Sequence, residues 1–139
     1  MATASILLGA WRLVEWALVD GDGRLLEHPL GVDAAGYIIY TPDGHVSATL
    51  MRTDRADAAG EAGPYGACFA YAGRFAVRDG TVFHTVEVST VPSLVGFTSS
   101  RRIVLDGDRL TLSGPDFSAG SERTQRITWQ RAAAKAGCP

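Results

Sequence analysis

The chain has 139 residues, of which 46% are hydrophobic and 20% are charged, and its net charge is −2. This length and composition predict one soluble domain spanning residues 1–139, with a core of its own. The small negative charge argues against binding to nucleic acid or to an acidic membrane surface, and no apolar run approaches the roughly 20 residues that cross a bilayer. Without a signal-like start or a metal-ligand spacing of the two cysteines, we expect a reducing, cytoplasmic location.

Short alternating segments separated by glycine-containing turns follow one another along the chain. A helical turn at 4–9 is predicted to lead into strands at 10–20, 25–30, 36–41, 45–52, 71–77, 81–89, 97–105, 109–113 and 124–131. Residues 53–66, rich in alanine and glycine, predict a surface excursion that could act as a lid, and 132–139 a flexible tail. Strands of this number and spacing predict an all-β fold, a closed antiparallel barrel of about eight strands with an internal pocket.

The hairpin at 71–89 carries the first candidates for chemistry. Asp79-Gly80 is a strong turn signal, because glycine supplies the positive φ that a tight hairpin needs. His84 lies on the apolar face, so it is either a core histidine with hydrogen-bond partners or a neutral imidazole that exchanges a proton in a pocket. Tyr71 could bond to His84 or to a ligand, or only pack in the wall. The predicted interior set is Tyr71, Gly73, Phe75 and Val77 on one strand and Val82, His84, Val86 and Val88 on the other.

The arginine pair at 101–102 supplies a third candidate. If Arg101 faces the interior with Phe97 and Ser99, it is a buried cation that requires an anionic or enolate partner. It could then stabilise negative charge that develops on a 1,3-dicarbonyl substrate. The alternative places Arg102 inside and Arg101 in solvent, since a bulge at Gly96 would reverse the alternation.

Two further strands are expected to line the pocket. Tyr37 and Tyr40 lie on opposite faces of their strand, so one of them should reach the interior. On the next strand the face that carries Leu50 is the more apolar one. The candidate ligand-binding residues are therefore Tyr37, Tyr40, Leu50, Phe75, Val86, Phe97 and Ser99.

Other polar residues are expected at the surface, and no cofactor is expected. Glu87, His28 and His45 are predicted to face solvent. No cluster of His, Cys and carboxylate residues has metal-ligand spacing, and neither a phosphate-binding glycine loop nor a Gly-x-Ser-x-Gly motif is present. We therefore expect neither a metal nor an organic cofactor.

Gly9-Ala10-Trp11, on the first strand, matches the Gly-x-Trp signature of lipocalins. Further matching segments follow in order: Gly36-Tyr-Ile-Ile-Tyr-Thr-Pro-Asp-Gly44, Tyr71-Ala-Gly73, His84-Thr-Val-Glu-Val88, Pro92, Gly96, Arg101 and Leu105-Asp-Gly-Asp-Arg-Leu-Thr-Leu112. From about residue 5 to 131 the chain resembles the small bacterial and fungal lipocalin-like domain family. The resemblance implies a calycin-type barrel in which Trp11 plugs the closed end and Arg131 packs across its indole.

The resemblance implies a small-molecule partner but leaves two functions open. Family members look like accessory proteins of specialised metabolism, and related small barrels include carriers and cofactor-free cyclases. One hypothesis is a cofactor-independent enzyme that folds a polyketide- or terpenoid-type substrate and assists its cyclisation or isomerisation through His84, Tyr71 and Arg101. The other is a non-catalytic carrier in which these groups only orient a hydrophobic ligand. In either case we expect a monomer or homodimer.

Overall fold

The fold is an antiparallel β-barrel, described here by a computed structural model of residues 4–53, 68–115 and 123–133. The predicted lid and tail lie outside these residues, apart from Thr53 and residues 132–133. Short 3₁₀ helices lie at Ala4–Leu7 and Pro92–Leu94. The strands are β1 (Gly9–Val19), β2 (Leu25–Glu27), β3 (Ala35–Tyr40), β4 (His45–Met51), β5 (Cys68–Arg78), β6 (Thr81–Ser89), β7 (Thr98–Asp106), β8 (Arg109–Pro115) and β9 (Thr124–Arg131).

Pairing between the first and last long strands closes the barrel. From β3 to β9 each strand pairs with the next, and β1 pairs with both β3 and β9. These eight strands form the ring, while the short β2 pairs with the far end of β1, at Leu18 and Val19. The predicted all-β closed barrel of about eight strands is thereby confirmed.

Tight turns join the strands where the sequence predicts them. Asp79 and Gly80 both adopt positive φ angles, of 53° and 75°, as a two-residue hairpin between β5 and β6 requires. After β1, the carboxylate of Asp20 accepts hydrogen bonds from the backbone N–H groups of Asp22 and Arg24, both at 2.9 Å. Such an Asx turn reverses the direction of the chain through local hydrogen bonds between a side chain and the backbone, so it needs no contacts with the core.

One end of the barrel is sealed by Trp11 and Arg131. Trp11 is fully buried, and its indole N–H donates to the carbonyl oxygen of Leu7 at 2.9 Å. The guanidinium carbon of Arg131 lies 4.0 Å from the centre of the Trp11 ring. The same guanidinium donates to the carbonyl oxygens of Leu8 and Ile6, both at 3.0 Å. The packing that the family resemblance implies for these two residues is therefore present.

A bulge in the β5–β6 hairpin changes which residues face inward. Gly73 pairs with Val86, but Ala72 pairs with Val88, so Glu87 is the extra residue on β6. Because an extra residue reverses the alternation, Val88 lies outside and is 61% exposed, and its predicted place on the inner face was wrong. Val82, His84 and Val86 keep the inner face and are buried.

The described part of the chain contains no helix of the length and apolarity needed to cross a bilayer.

Gly73 has no room for a side chain at this bulge. A Cβ atom there would overlap the carbonyl oxygen of Thr85 and lie 3.0 Å from the backbone nitrogen of Glu87, and neither backbone atom can move without distorting the pairing. We expect Gly73→Ala to lower the free energy of unfolding by about 1–3 kcal/mol in urea titrations. Gly21→Ala is the matched control: its added methyl group would meet nothing within 4 Å, so its effect should stay within about 0.5 kcal/mol. Equal stabilities for the two variants would contradict this account of the bulge.

Candidate functional site

An internal cavity of about 540 Å³ occupies the half of the barrel remote from Trp11. The end of β1, the segment after β2, the helix at Pro92–Leu94 and strands β4 to β7 and β9 contribute to its wall. Most of the lining is apolar or aromatic, and it includes Trp16, Leu18, Leu30, Leu50, Phe69, Val86, Phe97, Ile127 and Trp129. A volume of this size is in the range of small-molecule sites in proteins.

Polar side chains in the lining come mainly from β5, β7 and β9. Tyr71, Ser99, Arg101 and Gln125 all line the cavity. Ser99 and Arg101 are buried, with 7% and 9% of their surface exposed. Arg101 donates to the carbonyl oxygen of Ser100 at 3.2 Å. The side chain of Arg102 is exposed, so the structure places Arg101 on the inside, one of the two arrangements that the sequence left open.

His84 lies behind this wall, held between two tyrosines. The Tyr40 hydroxyl oxygen is 2.8 Å from Nε2 of His84, and the Tyr71 hydroxyl oxygen is 3.0 Å from Nδ1. Tyr40 also meets Phe75 edge-on, with ring centres 4.8 Å apart. His84 and Tyr40 are each 1% exposed, and of these three hydrogen-bonded residues only Tyr71 lines the cavity.

Burial keeps the three hydrogen-bonded groups neutral. Removal from water, with a smaller contribution from the positive charge of Arg101, lowers the pKa of His84 to about 3. Desolvation likewise raises the pKa of Tyr71 to about 12, although the charge of Arg101 opposes the rise. Burial also raises the pKa of Tyr40 well above its usual value. Near neutral pH the hydrogen-bonded series of Tyr40, His84 and Tyr71 therefore consists of an uncharged imidazole between two uncharged phenols.

The predicted site residues fall into three groups. Six of them line the cavity: Leu50, Tyr71, Val86, Phe97, Ser99 and Arg101. Tyr40, Phe75 and His84 are not part of the lining, although Tyr40 and His84 are buried and Phe75 packs against the core. Tyr37 lies on the outer face, where it is 43% exposed and its hydroxyl accepts a hydrogen bond from Arg12 at 3.0 Å. Tyr37 is thus separated from the cavity, because side chains alternate along β3 and Tyr40 takes the inner position.

The three remaining surface predictions have a mixed outcome. Glu87 lies outside and pairs with Arg74 at 3.4 Å, and the side chain of His45 is 53% exposed. His28 differs, because its side chain is only 17% exposed and its Nε2 lies 2.9 Å from a carboxylate oxygen of Glu15. The prediction that His28 is solvent-exposed was wrong, since the turn after β2 folds it against β1.

Several cavity residues were not found from the sequence. Trp16 lines the cavity because the pairing of β1 with β9 shifts between Leu13 and Glu15, which turns residue 16 inward. Its indole N–H donates to the side-chain oxygen of Gln125 at 3.1 Å. Trp129 could have been found, because alternation on β9 places it on one face with Ile127. Within the described residues, no group of three or more His, Cys, Asp or Glu side chains is arranged to hold a metal ion.

The depressed pKa of His84 predicts a loss of stability in mild acid. In the unfolded chain the imidazole takes up a proton below about pH 6.5, whereas the folded protein resists protonation down to about pH 3. The stabilisation that the folded protein gains from a neutral His84 is therefore complete above about pH 6.5. It is lost as the pH falls from about 6.5 towards 3, at up to about 1.4 kcal/mol per pH unit. Urea unfolding between about pH 7 and pH 4 should show a shallower dependence on pH for His84→Gln than for the unaltered protein. Val82→Ala, also in the core, should lose stability without changing this dependence, and equal slopes for all three proteins would refute the assignment.

Known proteins similar to this chain include a protein family, a curated relative and a solved structure. The family model of the lipocalin-like domain matches residues 8–132. The 4'-hydroxy-3'-methoxypropiophenone carrier protein ppsC of Aspergillus oryzae is 36% identical over 72 residues, which cover 45% of this chain and 65% of that protein, slightly less than two thirds of its length.

Among solved structures, the lipoprotein YedD of Klebsiella pneumoniae aligns with 94% of this chain and 75% of its own, at 12% sequence identity and a TM-score of 0.47. A likeness at this level supports no conclusion about fold or function. The family model, by contrast, covers the chain from the residue before β1 to the residue after β9. The chain belongs to the lipocalin-like domain family.

Proposed function

We propose that this protein binds a small, mostly apolar aromatic ketone in its cavity and carries it without chemical change. The observation on which the proposal depends is an apolar and aromatic cavity of about 540 Å³ with a few polar side chains, Tyr71, Ser99 and Arg101 among them. Apolar walls supply affinity through removal of ligand surface from water, and a few fixed polar groups supply orientation.

The ligand class is supported by the curated relative. That protein is named as a carrier of 4'-hydroxy-3'-methoxypropiophenone, an aromatic ring with a ketone side chain. An aromatic ring suits a cavity lined by Trp16, Phe69 and Trp129, and a ketone oxygen suits the hydroxyl and guanidinium donors of Tyr71 and Arg101.

The position of His84 supports a carrier function rather than a catalytic one. Both of its ring nitrogens are within hydrogen-bond distance of tyrosine hydroxyls, and it is not part of the cavity lining. A general base has to reach the proton that it removes and works best with a pKa near the working pH. With a pKa of about 3, His84 meets neither requirement.

A second candidate function is a cofactor-independent cyclisation or isomerisation in specialised metabolism. One observation favours it: Tyr71, a proton donor, and Arg101, a fixed positive charge, line the same cavity. Such a pair could stabilise an enolate oxygen in the transition state, while the cavity wall holds a flexible polyketide or terpenoid chain in a reactive conformation.

Binding can be measured directly, because Trp16 and Trp129 line the cavity and report on its contents by fluorescence. We expect 4'-hydroxy-3'-methoxypropiophenone to quench this emission saturably with one site per chain. Val86→Phe should weaken binding at least about tenfold, because Val86 is buried in the lining and a larger side chain takes the ligand's volume.

The matched control is Val104→Phe, which makes the same change at an exposed position of β7. It should leave the affinity unchanged. Equal binding to both variants, or no saturable binding to the unaltered protein, would refute carriage of this ligand class in the cavity.

Carriage and turnover can be separated by hydrogen exchange at the carbon next to the ketone. A carrier should not accelerate exchange of these hydrogens with D₂O, because enolisation needs a base beside the carbon as well as a donor to the oxygen. NMR of the bound ketone over time measures the rate. Exchange that is faster than in buffer, and that Tyr71→Phe abolishes, would favour the second candidate.

A further inference from the structure

We propose that the hydrogen bonds through His84 run in one direction, from Tyr40 through the imidazole to Tyr71. The Tyr71 hydroxyl then presents its hydrogen to the cavity and selects ligands whose oxygen can accept it, as a carbonyl or phenolate oxygen can. The ligand half of this inference rests on the proposed function, whereas the direction of the hydrogen bonds does not.

The argument begins with the hydrogens on the ring. A neutral imidazole carries one N–H donor and one bare nitrogen acceptor. Nε2 of His84 is 2.8 Å from the Tyr40 hydroxyl oxygen, and Nδ1 is 3.0 Å from the Tyr71 hydroxyl oxygen. One tyrosine must therefore donate to the ring while the other accepts from it.

The surroundings of Tyr40 decide which tyrosine donates. Tyr40 is 1% exposed and does not line the cavity, and within the described residues its hydroxyl hydrogen-bonds only to His84. If Tyr40 accepted from the ring, its own hydrogen would be buried without an acceptor, at the cost of a desolvated polar group. Tyr40 therefore donates to Nε2.

The state of Tyr71 follows from this assignment. With Nε2 accepting, the ring hydrogen lies on Nδ1, which donates to the Tyr71 oxygen. His84 then offers no acceptor for the hydroxyl hydrogen of Tyr71. Of the three hydrogen-bonded residues, Tyr71 is the one that lines the cavity. An acceptor atom of a bound ligand would take this hydrogen and so form a third hydrogen bond, after those from Tyr40 to His84 and from His84 to Tyr71.

Several other polar groups in the lining are also donors, while the carboxylate of Glu27, which lies in the lining too, pairs with Arg123 at 2.9 Å. The indole N–H of Trp129 is buried and has no hydrogen-bond partner among the residues that the structure describes. Arg101 brings a guanidinium group, which can only donate. The side-chain oxygen of Gln125, by contrast, already accepts from Trp16. This donor-rich lining agrees with a ligand that offers an acceptor oxygen.

The first test determines by NMR which ring nitrogen of His84 carries the hydrogen. In protein labelled with ¹⁵N, two-bond correlations between ring protons and nitrogens distinguish the two neutral forms of histidine. We expect Nδ1 of His84 to carry the hydrogen and Nε2 to be bare in the unliganded, unaltered protein. A hydrogen on Nε2, or on both nitrogens at neutral pH, would overturn the proposed direction.

The second test compares two probes of similar size, propiophenone and propylbenzene, which lacks the acceptor oxygen. The unaltered protein should prefer propiophenone, and Tyr71→Phe should lower that preference about tenfold by weakening propiophenone alone. Tyr37→Phe removes an outer hydroxyl and should change neither affinity. An equal loss for both probes in Tyr71→Phe would overturn the donor role.

The two tests fail in different ways. If propiophenone does not bind the unaltered protein, the proposed function is wrong for this ligand class, and the selection by Tyr71 is wrong with it. The histidine spectrum then still decides the direction of the hydrogen bonds. If propiophenone binds but the hydrogen lies on Nε2, the function stands and the direction is wrong.

Discussion

The structure depends on the pairing of β1 with β9. This ladder joins Trp11 with Arg131 and Val19 with Thr124, residues more than a hundred positions apart in the chain. It closes the ring of strands, so the barrel surrounds an interior that holds the buried side chains and the cavity. The seal of Trp11 by Arg131 forms at the same junction. Without the ladder, neither the buried His84 nor the cavity inside the barrel would exist.

Within that interior, His84 and Tyr40 lie behind the cavity wall, whereas the charged Arg101 lies in the wall itself. Tyr40 and His84 are buried neutral groups joined by a hydrogen bond, and His84 is also hydrogen-bonded to Tyr71, which is partly buried at the cavity wall. The positive charge of Arg101 lies in the cavity lining, where it contributes to lowering the pKa of the histidine behind it. In the proposed function, the hydroxyl of Tyr71 and the guanidinium of Arg101 would orient a bound ligand.

Local patterns predicted most of the fold, whereas bulges limited the prediction of the site. Alternation placed Leu50 inside β4, and Asp79-Gly80 predicted the turn that is observed. A bulge is a property of two paired strands, so one strand's sequence cannot reveal it; for this reason Val88 was placed inside and Trp16 was missed. The choice of Arg101 over Arg102 likewise depended on the register between β6 and β7, and the bond of Tyr40 to His84 joins residues 44 positions apart.

The pairing of the first strand with the last also sets the order of events in folding. Strands β3 to β9 pair with their sequence neighbours and can form as successive hairpins, but the middle of β1, residues 13–17, has no strand partner until β9 is present. Because this last step pairs residues that lie far apart in the chain, it is expected to be slow. On the ribosome, the apolar Trp16 in the middle of β1 therefore has no strand partner until the last strand has been synthesised, whereas Trp11 can already pair with Ile38 on β3. During synthesis, the middle of the strand that later closes the barrel is therefore exposed to aggregation until its partner emerges.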